Sequence, residues 1–293
     1  SKIQFRDFNY TAKLTLAKML IAQITDTHIK PRGELAYGNV LDSASCLKNV
    51  VKHCNEFNPR IDLVFVTGDL TDSGQLEEYE EFNKILSDLK IPWFVIPGNH
   101  DNNKVLMGFF NEHEYLPRNE KFCNYVIDKY PFVLIGLDTT VSGENYGEFC
   151  NERLRWLELN LKRYSSKPTL LFMHHPPFVT GIDGMDNQNL INSSRFFEIL
   201  RLYPQVKHIA CGHVHRATET VIDGIGISIA PNGAHSVHLD INAKKPPMFI
   251  MEPPTIRIFK LNLKNKNVVS HLSFVGNYDG PYPFYSDEGL LLD

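Results

Sequence analysis

Residues 63–72 of the 293-residue sequence read LVFVTGDLTD, an apolar run that ends in Gly68 and Asp69. A short apolar run bounded by a turn residue is typical of a buried strand. Similar runs occur at residues 19–25, 93–96, 133–138, 170–173 and 206–210. Helical periodicity separates them at residues 44–57, 76–89, 152–164 and 195–203. The alternation predicts an α/β fold with helices covering the sheet faces.

The last third of the chain is predicted to be mostly β. Asp223-Gly224, a dipeptide that tight hairpin turns prefer, separates residues 221–222 from 225–229, and a second pair of runs covers 255–263 and 268–274. A Pro-rich stretch at 243–254 should be an irregular excursion that caps the site or contacts another subunit. We predict one domain at residues 19–275, with an N-terminal extension at 1–18 and a C-terminal tail at 276–293.

Composition narrows the class of protein. The net charge of −4 gives no basic surface for a nucleic acid polymer or an anionic membrane. The five cysteines are odd in number and form no CxxC pair, which disfavours a disulfide framework and a thiolate metal site. No run reaches the roughly 18 apolar residues of a membrane span. These features predict a cytoplasmic protein with a small substrate, and they allow a homodimer or higher homo-oligomer.

Five polar clusters follow predicted strands, where an open α/β sheet binds its ligands. Each cluster offers carboxylate, carboxamide or imidazole groups, the nitrogen and oxygen donors that hold Zn, Fe or Mn. A single Asp at a strand end is more often a helix cap, and a single buried His is more often a core residue. Five such clusters, each breaking the apolar pattern, indicate one site. They are Asp26 with His28; Asp69; Asn99 with His100 and Asp101; His174 with His175; and His213 with His215.

In chain order, the strings D-x-H, GD, GNHD, HH and GHxH match the calcineurin-like metallophosphoesterase superfamily, which the chain resembles over residues 19–274. The resemblance implies a four-layer α-β-β-α sandwich with two mixed sheets. It also implies that Asp69 bridges two metal ions. The residues implied for the first ion are Asp26, His28 and His215, and those for the second are Asn99, His174 and His213.

The resemblance also implies two catalytic residues. His100 would stabilise the developing charge or protonate the leaving oxygen, a task that suits an imidazole because its pKa is near neutrality. The carboxylate of Asp72 would orient His100, although a helix N-cap is an alternative role for an Asp at this position. His175 and Asp101 are expected to support the site or their own loops. His235 and His238 are expected to be surface or supporting residues, because the seven-residue set is already complete.

A shared carboxylate can hold two divalent ions roughly 3.5 to 4 Å apart, which suits an in-line phosphoryl displacement. A metal-bridging hydroxide is the implied nucleophile, since a metal lowers the pKa of water from about 15.7 to roughly 7. The expected cofactors are two divalent or mixed-valence ions, and this type of donor set accepts Fe, Mn, Zn or Co.

The motifs also bear on the substrate. Protein phosphatases of the superfamily carry Arg in GDxxDRG, where this chain has Ser73, which disfavours a phosphoprotein. The strings GDLTDSG, GNHD and HHPPF resemble bacterial class III cyclic-nucleotide phosphodiesterases and glycerophosphodiesterases. The expected function is hydrolysis of a small phosphodiester such as 3′,5′-cyclic AMP. The alternatives are a glycerophosphodiesterase, a phosphomonoesterase, a nuclease and a non-catalytic scaffold, but the acidic balance disfavours a nuclease, and the complete set of residues disfavours a scaffold.

Three segments are expected to form the walls that select the substrate. They are the segment around Met185 and Asp186, residues 232–238, and the Pro-rich excursion.

Overall fold

Two β-sheets organise the residues that the structure, a computed structural model, describes: 18–118, 120–241 and 246–286. The strands are β1 (Lys18–Ile24), β2 (Leu63–Thr67), β3 (Trp93–Ile96), β4 (Tyr125–Ile127), β5 (Val133–Leu137), β6 (Gly147–Glu148), β7 (Thr169–Met173), β8 (Leu190–Ile191), β9 (Val206–Cys211), β10 (Thr218–Ile222), β11 (Ile225–Ile229), β12 (Ser236–Val237), β13 (Phe249–Ile250), β14 (Thr255–Asn262) and β15 (Asn267–Phe274). The helices are α1 (Ser43–Glu56), α2 (Leu76–Leu86), α3 (Asn103–Phe109), α4 (Asn151–Arg163), α5 (Asp183–Asp186) and α6 (Ser193–Leu200).

Both large sheets are mixed. The first has the order β15-β14-β1-β2-β3, in which β1, β2 and β3 are parallel and the hairpin β14–β15 adds antiparallel strands. The second has the order β10-β11-β9-β7-β5-β4, with four parallel strands between antiparallel edges. The prediction of two mixed sheets is confirmed.

The sheets pack face to face, and helices cover their outer faces. Phe65 of β2 stacks on Phe172 of β7 with 3.8 Å between the ring centroids, so the two inner faces are in contact. Helix α1 buries Leu47, Val50 and Cys54 in the core of the first sheet. Helix α4 buries residues 154, 157 and 161 against the second sheet. Apolar residues spaced three or four apart form one buried stripe on a helix, so this spacing produces the outer layers.

The structure adds short elements that the sequence pattern did not predict. Strand β4 pairs with β5, and α3 begins after Asn102, whose side chain accepts hydrogen bonds from two backbone amides of the first turn. The Pro-rich stretch is not wholly irregular, since β13 pairs with β12 in the part that is described. Residues 1–17, 243–245 and 287–293, which fall in the predicted extension, excursion and tail, lie outside the described residues, as do residues 119 and 242. No helix in the described part is long and apolar enough to cross a membrane.

The parallel strands of both sheets end at a common edge, where their loops bond to one another. Beyond β1 and β2 the parallel ladder continues into the loops, because the backbone N–H of His28 donates to the carbonyl of Asp69 at 3.0 Å. The N–H of Gly212 donates to the carbonyl of His174 at 3.0 Å. The N–H of His213 donates to Asp26 Oδ2 at 3.0 Å, so the pair of loops after β1 and β2 is linked to the pair after β7 and β9.

Candidate metal centre

The loops at this edge have a strained backbone at five predicted metal ligands. Asp26, His28, Asp69, His213 and His215 have φ values between 41° and 73°. Positive φ is uncommon for residues other than glycine, although Asp and His adopt it more often than most. Several such residues close together are typical of a functional site, where the surrounding structure holds the strain. These turns bring the side chains together between the two sheets.

Asp26, His28 and His215 form the first group of candidate metal-binding atoms. His28 Nε2 and His215 Nε2 are 3.2 Å apart, and Asp26 Oδ1 lies 3.2 Å from His215 Nε2. All three residues are buried. Asn232 donates to the backbone carbonyl of Asp26 at 2.7 Å and so holds the loop after β1 in place. The predicted ligands of the first ion are therefore adjacent.

His174 is the centre of the second group. Its Nδ1 donates to the carbonyl of Thr67 at 2.8 Å, and its Nε2 faces Asn99 Oδ1 at 3.1 Å and Asp69 Oδ2 at 3.3 Å. A carbonyl acceptor behind the ring is a common support for a metal-binding His, because it fixes the tautomer. His213 lies beside His174, and its Nε2 is buried with no hydrogen-bond partner among the described residues.

Asp69 lies between the two groups. Its Oδ1 accepts the backbone N–H of His100 at 2.8 Å, whereas its Oδ2 is 3.3 Å from His174 Nε2 and 3.7 Å from His28 Nε2. Asp26 Oδ1 also faces the second group, at 3.9 Å from His174 Nε2. The structure thus brings the seven predicted ligands together, and one oxygen of Asp69 faces both groups.

The charges in the site favour a cation. Burial would raise the pKa of Asp69, but His174, His100 and His28 hold it well below its usual range. Burial would lower the pKa of His174, yet the charges of Asp69 and Asp26 raise it to about 9. Burial and the neighbouring His174 lower the pKa of His213 to about 3, which keeps this imidazole neutral with a free lone pair. The buried carboxylates of Asp26 and Asp69 and the neutral imidazole of His213 suit Fe, Mn or Zn, and a bound cation would take the place of the proton on His174.

Two glycines provide space for this arrangement. A β-carbon at Gly98 would overlap the carboxylate of Asp69. A β-carbon at Gly212 would overlap Thr25, whose hydroxyl donates to Asp26 Oδ2 at 2.6 Å. Only glycine permits such close approach of the neighbouring loops. No described residue bonds to His213 Nε2, and together with this geometry and donor chemistry that nitrogen fits bound metal ions.

His100 is accessible to solvent at the rim of the site. Its Nδ1 donates to the backbone carbonyl of Asp72 at 2.7 Å, which leaves Nε2 as the nitrogen that can meet a substrate. Burial opposes protonation, but the charge of Asp69 and the Asp72 carbonyl outweigh it and raise the pKa of His100 above its ordinary value. The imidazole therefore keeps its proton to a higher pH than a free histidine does.

The predicted contact between the Asp72 carboxylate and His100 is replaced by this backbone contact. The side chain of Asp72 turns the other way, where its Oδ2 accepts from Lys30 Nζ at 2.9 Å and its Oδ1 lies 3.7 Å from His28 Nδ1. The backbone carbonyl of Asp72 holds His100, and the carboxylate faces the first group.

His175 has no free nitrogen to offer a metal. Its Nε2 donates to the carbonyl of Asn145 at 3.1 Å, and its Nδ1 accepts from the hydroxyl of Thr139 at 2.7 Å. Burial and the neighbouring His213 hold its pKa well below its usual value, so it stays neutral. It packs behind His174 and His213, as expected of a supporting residue.

Asp101 joins the loop after β2 to the loop after β3. Its carboxylate accepts the backbone N–H groups of Leu70 at 3.0 Å and Gly98 at 2.9 Å, and the hydroxyls of Thr71 at 3.0 Å and Tyr79 at 3.1 Å. The expected loop hydrogen-bonding role is therefore present, and it connects the loop of Asp69 to the loop of Asn99.

His235 supports His215 from behind. Its Nε2 lies 2.8 Å from His215 Nδ1. With a metal ion on His215 Nε2, the proton of the ring would lie on Nδ1, which would donate to His235. Burial and the nearby His215 lower the pKa of His235 to about 2, which keeps it neutral. His238 instead lines a small cavity with Pro247 and Met248.

Tyr37 and Phe249 adjoin the first group, although the sequence analysis missed both. The Tyr37 ring lies 5.9 Å from that of His28 and 4.8 Å from that of His235, and Phe249 lies 5.3 Å from Tyr37 (ring centroids). Tyr37 has a φ of 50°, a further strained residue next to the site. The turn residues Gly38 and Asn39 beside it were the available signal.

The expected selectivity walls are only partly at the site. Met185 is buried in the core of the second sheet, and Asp186 accepts hydrogen bonds from the amides of Thr180 and Gly181 at 2.7 and 2.9 Å, so these two side chains serve their own loop. The segment 232–238 does adjoin the site through His235. The excursion does so through Phe249.

Comparison with known proteins agrees with this geometry. The profile of the calcineurin-like phosphoesterase family matches residues 19–217. The chain is 41% identical over 276 residues to a protein of Arcobacter nitrofigilis named "Probable glycerophosphodiester phosphodiesterase GpdQ", an alignment that covers 94% of this chain and 100% of that protein. It is 29% identical over 219 residues to the 3′,5′-cyclic adenosine monophosphate phosphodiesterase CpdA of Escherichia coli K12, covering 74% of this chain and 76% of that one.

Among solved structures, a dimetal phosphatase from Danio rerio aligns with a TM-score of 0.59 at 13% identity, covering 86% of this chain and 98% of that one. At this identity the likeness concerns the fold alone. The family match and the relatives show that the chain belongs to the calcineurin-like phosphoesterase family, a family of metal-dependent phosphoester hydrolases. The resemblance stated from the motifs is confirmed.

Proposed function

We propose that this protein is a binuclear metal-dependent phosphodiesterase that acts on a small phosphodiester. The observation that carries the proposal is the position of Asp69, whose Oδ2 lies 3.3 Å from a nitrogen of one group and 3.7 Å from a nitrogen of the other. In this proposal Asp69 is shared by both ions. Asp26, His28 and His215 hold the first, and Asn99, His174 and His213 hold the second.

Two bound divalent ions would supply the positive charge that neutralises the phosphoryl oxygens and lowers the pKa of water. His100 provides the proton for the leaving oxygen through Nε2, because the Asp72 carbonyl occupies Nδ1 and fixes the ring. Its raised pKa supports this role, since a group that keeps its proton to a higher pH than a free histidine can act as an acid.

A glycerophosphodiester is the first candidate substrate. Two relatives that align over 94% and 90% of this chain, at 41% and 30% identity, are named as glycerophosphodiester phosphodiesterases. The second candidate is 3′,5′-cyclic AMP, because cyclic nucleotide phosphodiesterases are also among the relatives. The rings of Tyr37 and Phe249 beside the site favour this second candidate, since a purine can stack on an aromatic face.

The test is a screen of the protein reconstituted with Mn²⁺ against a glycerophosphodiester, cyclic AMP, cyclic GMP, bis(p-nitrophenyl) phosphate and p-nitrophenyl phosphate. The proposal predicts that the diesters are hydrolysed with higher kcat/KM than the monoester. A preference for the monoester would contradict it. Protein that binds two ions and hydrolyses none of these compounds would favour the non-catalytic scaffold.

A further inference from the structure

We infer that the Asp72 carboxylate positions His28 and that Lys30 holds this carboxylate in place. The three side chains form one line of contacts behind the first group. This inference rests on the metal site of the proposed function and deepens it. In this inference the two polar groups of Asp72 have different partners: the backbone carbonyl accepts from His100, and the carboxylate supports His28.

The backbone places these three residues side by side. The segment after β1 runs parallel to the segment after β2, with the N–H of His28 donating to the carbonyl of Asp69 at 3.0 Å and the N–H of Asp72 donating to the carbonyl of Ile29 at 3.1 Å. An isolated parallel bridge pairs Ile29 with Thr71. This ladder fixes the register in which Asp72 lies next to both His28 and Lys30.

The contacts form a sequence from solvent to the buried ring. Lys30 Nζ is partly exposed and donates to Asp72 Oδ2 at 2.9 Å. The other oxygen, Oδ1, lies 3.7 Å from His28 Nδ1. That nitrogen is buried and has no hydrogen-bond partner among the described residues. A movement of less than about 1 Å would bring the carboxylate within the usual N–H···O distance.

An acceptor at Nδ1 of His28 determines which ring nitrogen carries the proton and which is free to bind a metal ion. A carboxylate there keeps the proton on Nδ1, directs the Nε2 lone pair toward Asp69 and His215, and makes Nε2 a more basic ligand. His174 and His215 have comparable supports, from the Thr67 carbonyl and from His235. Asp72 is thus the corresponding support for His28.

The experiment compares Asp72→Asn, Lys30→Met and His100→Ala with wild type in the full chain. Metal-free proteins are titrated with Mn²⁺ by calorimetry, and kcat/KM is measured for aryl phosphodiesters with leaving groups of different pKa. We expect Asp72→Asn to weaken one of two Mn²⁺ binding steps by about 10- to 100-fold, with a leaving-group dependence like that of wild type. Lys30→Met should weaken the same step by a smaller factor, because the carboxylate remains.

Binding of both ions by Asp72→Asn as in wild type would overturn the inference. A leaving-group dependence like that of His100→Ala would also overturn it, because Asp72 would then act on His100. Thermal unfolding of the metal-free proteins checks that each variant is folded. If Asp72→Asn does not fold, Lys30→Met supplies the readout, and unchanged Mn²⁺ binding by that variant would overturn the inference. Failure of wild type to bind two ions would instead contradict the proposed function.

Discussion

The carboxylate of Asp69 and the imidazole of His174 meet across the gap between the two sheets, with 3.3 Å between Oδ2 and Nε2. Asp69 follows β2 of the first sheet and His174 follows β7 of the second. The stack of Phe65 on Phe172 joins the same two strands within the core. The site therefore depends on the packing of the sheets as well as on the sequence of the loops.

Replacing Asp69 with Asn should nearly abolish hydrolysis. The change removes the negative charge that faces both groups, so the binding of both ions should weaken. We expect kcat/KM for bis(p-nitrophenyl) phosphate to fall by more than about 100-fold, since even residues behind the ligands change metal affinity or activity by about 10- to 100-fold. Kinetics at a fixed Mn²⁺ concentration, with a metal analysis of the dialysed protein, measure both effects.

Asp128→Asn is the matched control for that change. Asp128 precedes β5, at the edge opposite the site, and accepts from the hydroxyl of Tyr164 at 3.0 Å. An Asn keeps an acceptor there, so activity and metal content should stay at the wild-type level. Wild-type turnover by Asp69→Asn would contradict the assignment.

His100→Ala should keep both ions but lose rate, because none of the seven predicted ligands is removed and the backbone N–H that donates to Asp69 is retained. A general acid contributes about 10²- to 10⁴-fold. The loss should be largest for alkyl leaving groups, whose oxygen needs a proton, and smaller for p-nitrophenolate. Rates across a leaving-group series measure this; an equal loss for all substrates would indicate electrostatic stabilisation instead of proton donation.

Gly98→Ala should damage the site by steric overlap alone. The added β-carbon would displace Asp69, so we expect metal binding to weaken and the free energy of unfolding to fall by about 1–3 kcal/mol, as for an overpacked interior. The control is Gly108→Ala in α3, where a β-carbon meets no atom within 4 Å. That change should raise stability by up to about 1 kcal/mol, because Ala favours helix. Urea unfolding of both variants tests the pair, and equal stability would count against the steric account.

His208 should make the protein less stable in acid. It is buried in β9 against Ser228, and burial together with Arg257 lowers its pKa to about 4. The unfolded chain, with a His pKa of about 6.5, takes up this proton more readily, so stability is lost as the pH falls below 6.5. Between pH 7 and pH 4.5, the titration of His208 should lower the free energy of unfolding by roughly 2–3 kcal/mol.

His208→Gln removes this titration and should lose less stability than wild type over the same interval. Urea unfolding in EDTA at the two pH values measures the difference, and the other titrating groups, being common to both proteins, cancel. An exposed residue in β15, His271, provides the control His271→Gln, which should follow the wild-type profile. Parallel profiles for wild type and His208→Gln would contradict the prediction.

The sequence predicted the long strands and the clusters at their ends because each signal is local. Four apolar residues and a threonine, followed by Gly68-Asp69, indicate both a buried strand and its polar end. Strands such as β12 and β13 have two residues each, which is too short for any periodicity. The seven-residue set followed from the family resemblance of the motifs, and the structure brings those residues together.

The supporting contacts could not be predicted, because they depend on where side chains turn in the folded protein. The motif indicated Asp72 as a site residue, but the choice between its carbonyl and its carboxylate depends on Lys30, which lies across a parallel ladder. Tyr37 reaches the site only because a left-handed turn directs the chain back to His28. The polar string around Asp186 indicated a substrate wall, but its carboxylate is used within its own loop.

The central claim, that Asp69 joins two metal ions, is tested most directly by anomalous diffraction from crystals of the protein grown with Mn²⁺. We predict two anomalous peaks per chain, roughly 3.5 to 4 Å apart, on either side of the Asp69 carboxylate. One peak lies among Asp26, His28 and His215, and the other lies among Asn99, His174 and His213. A single peak, or two peaks of which one is not bound by Asp69, would contradict the account.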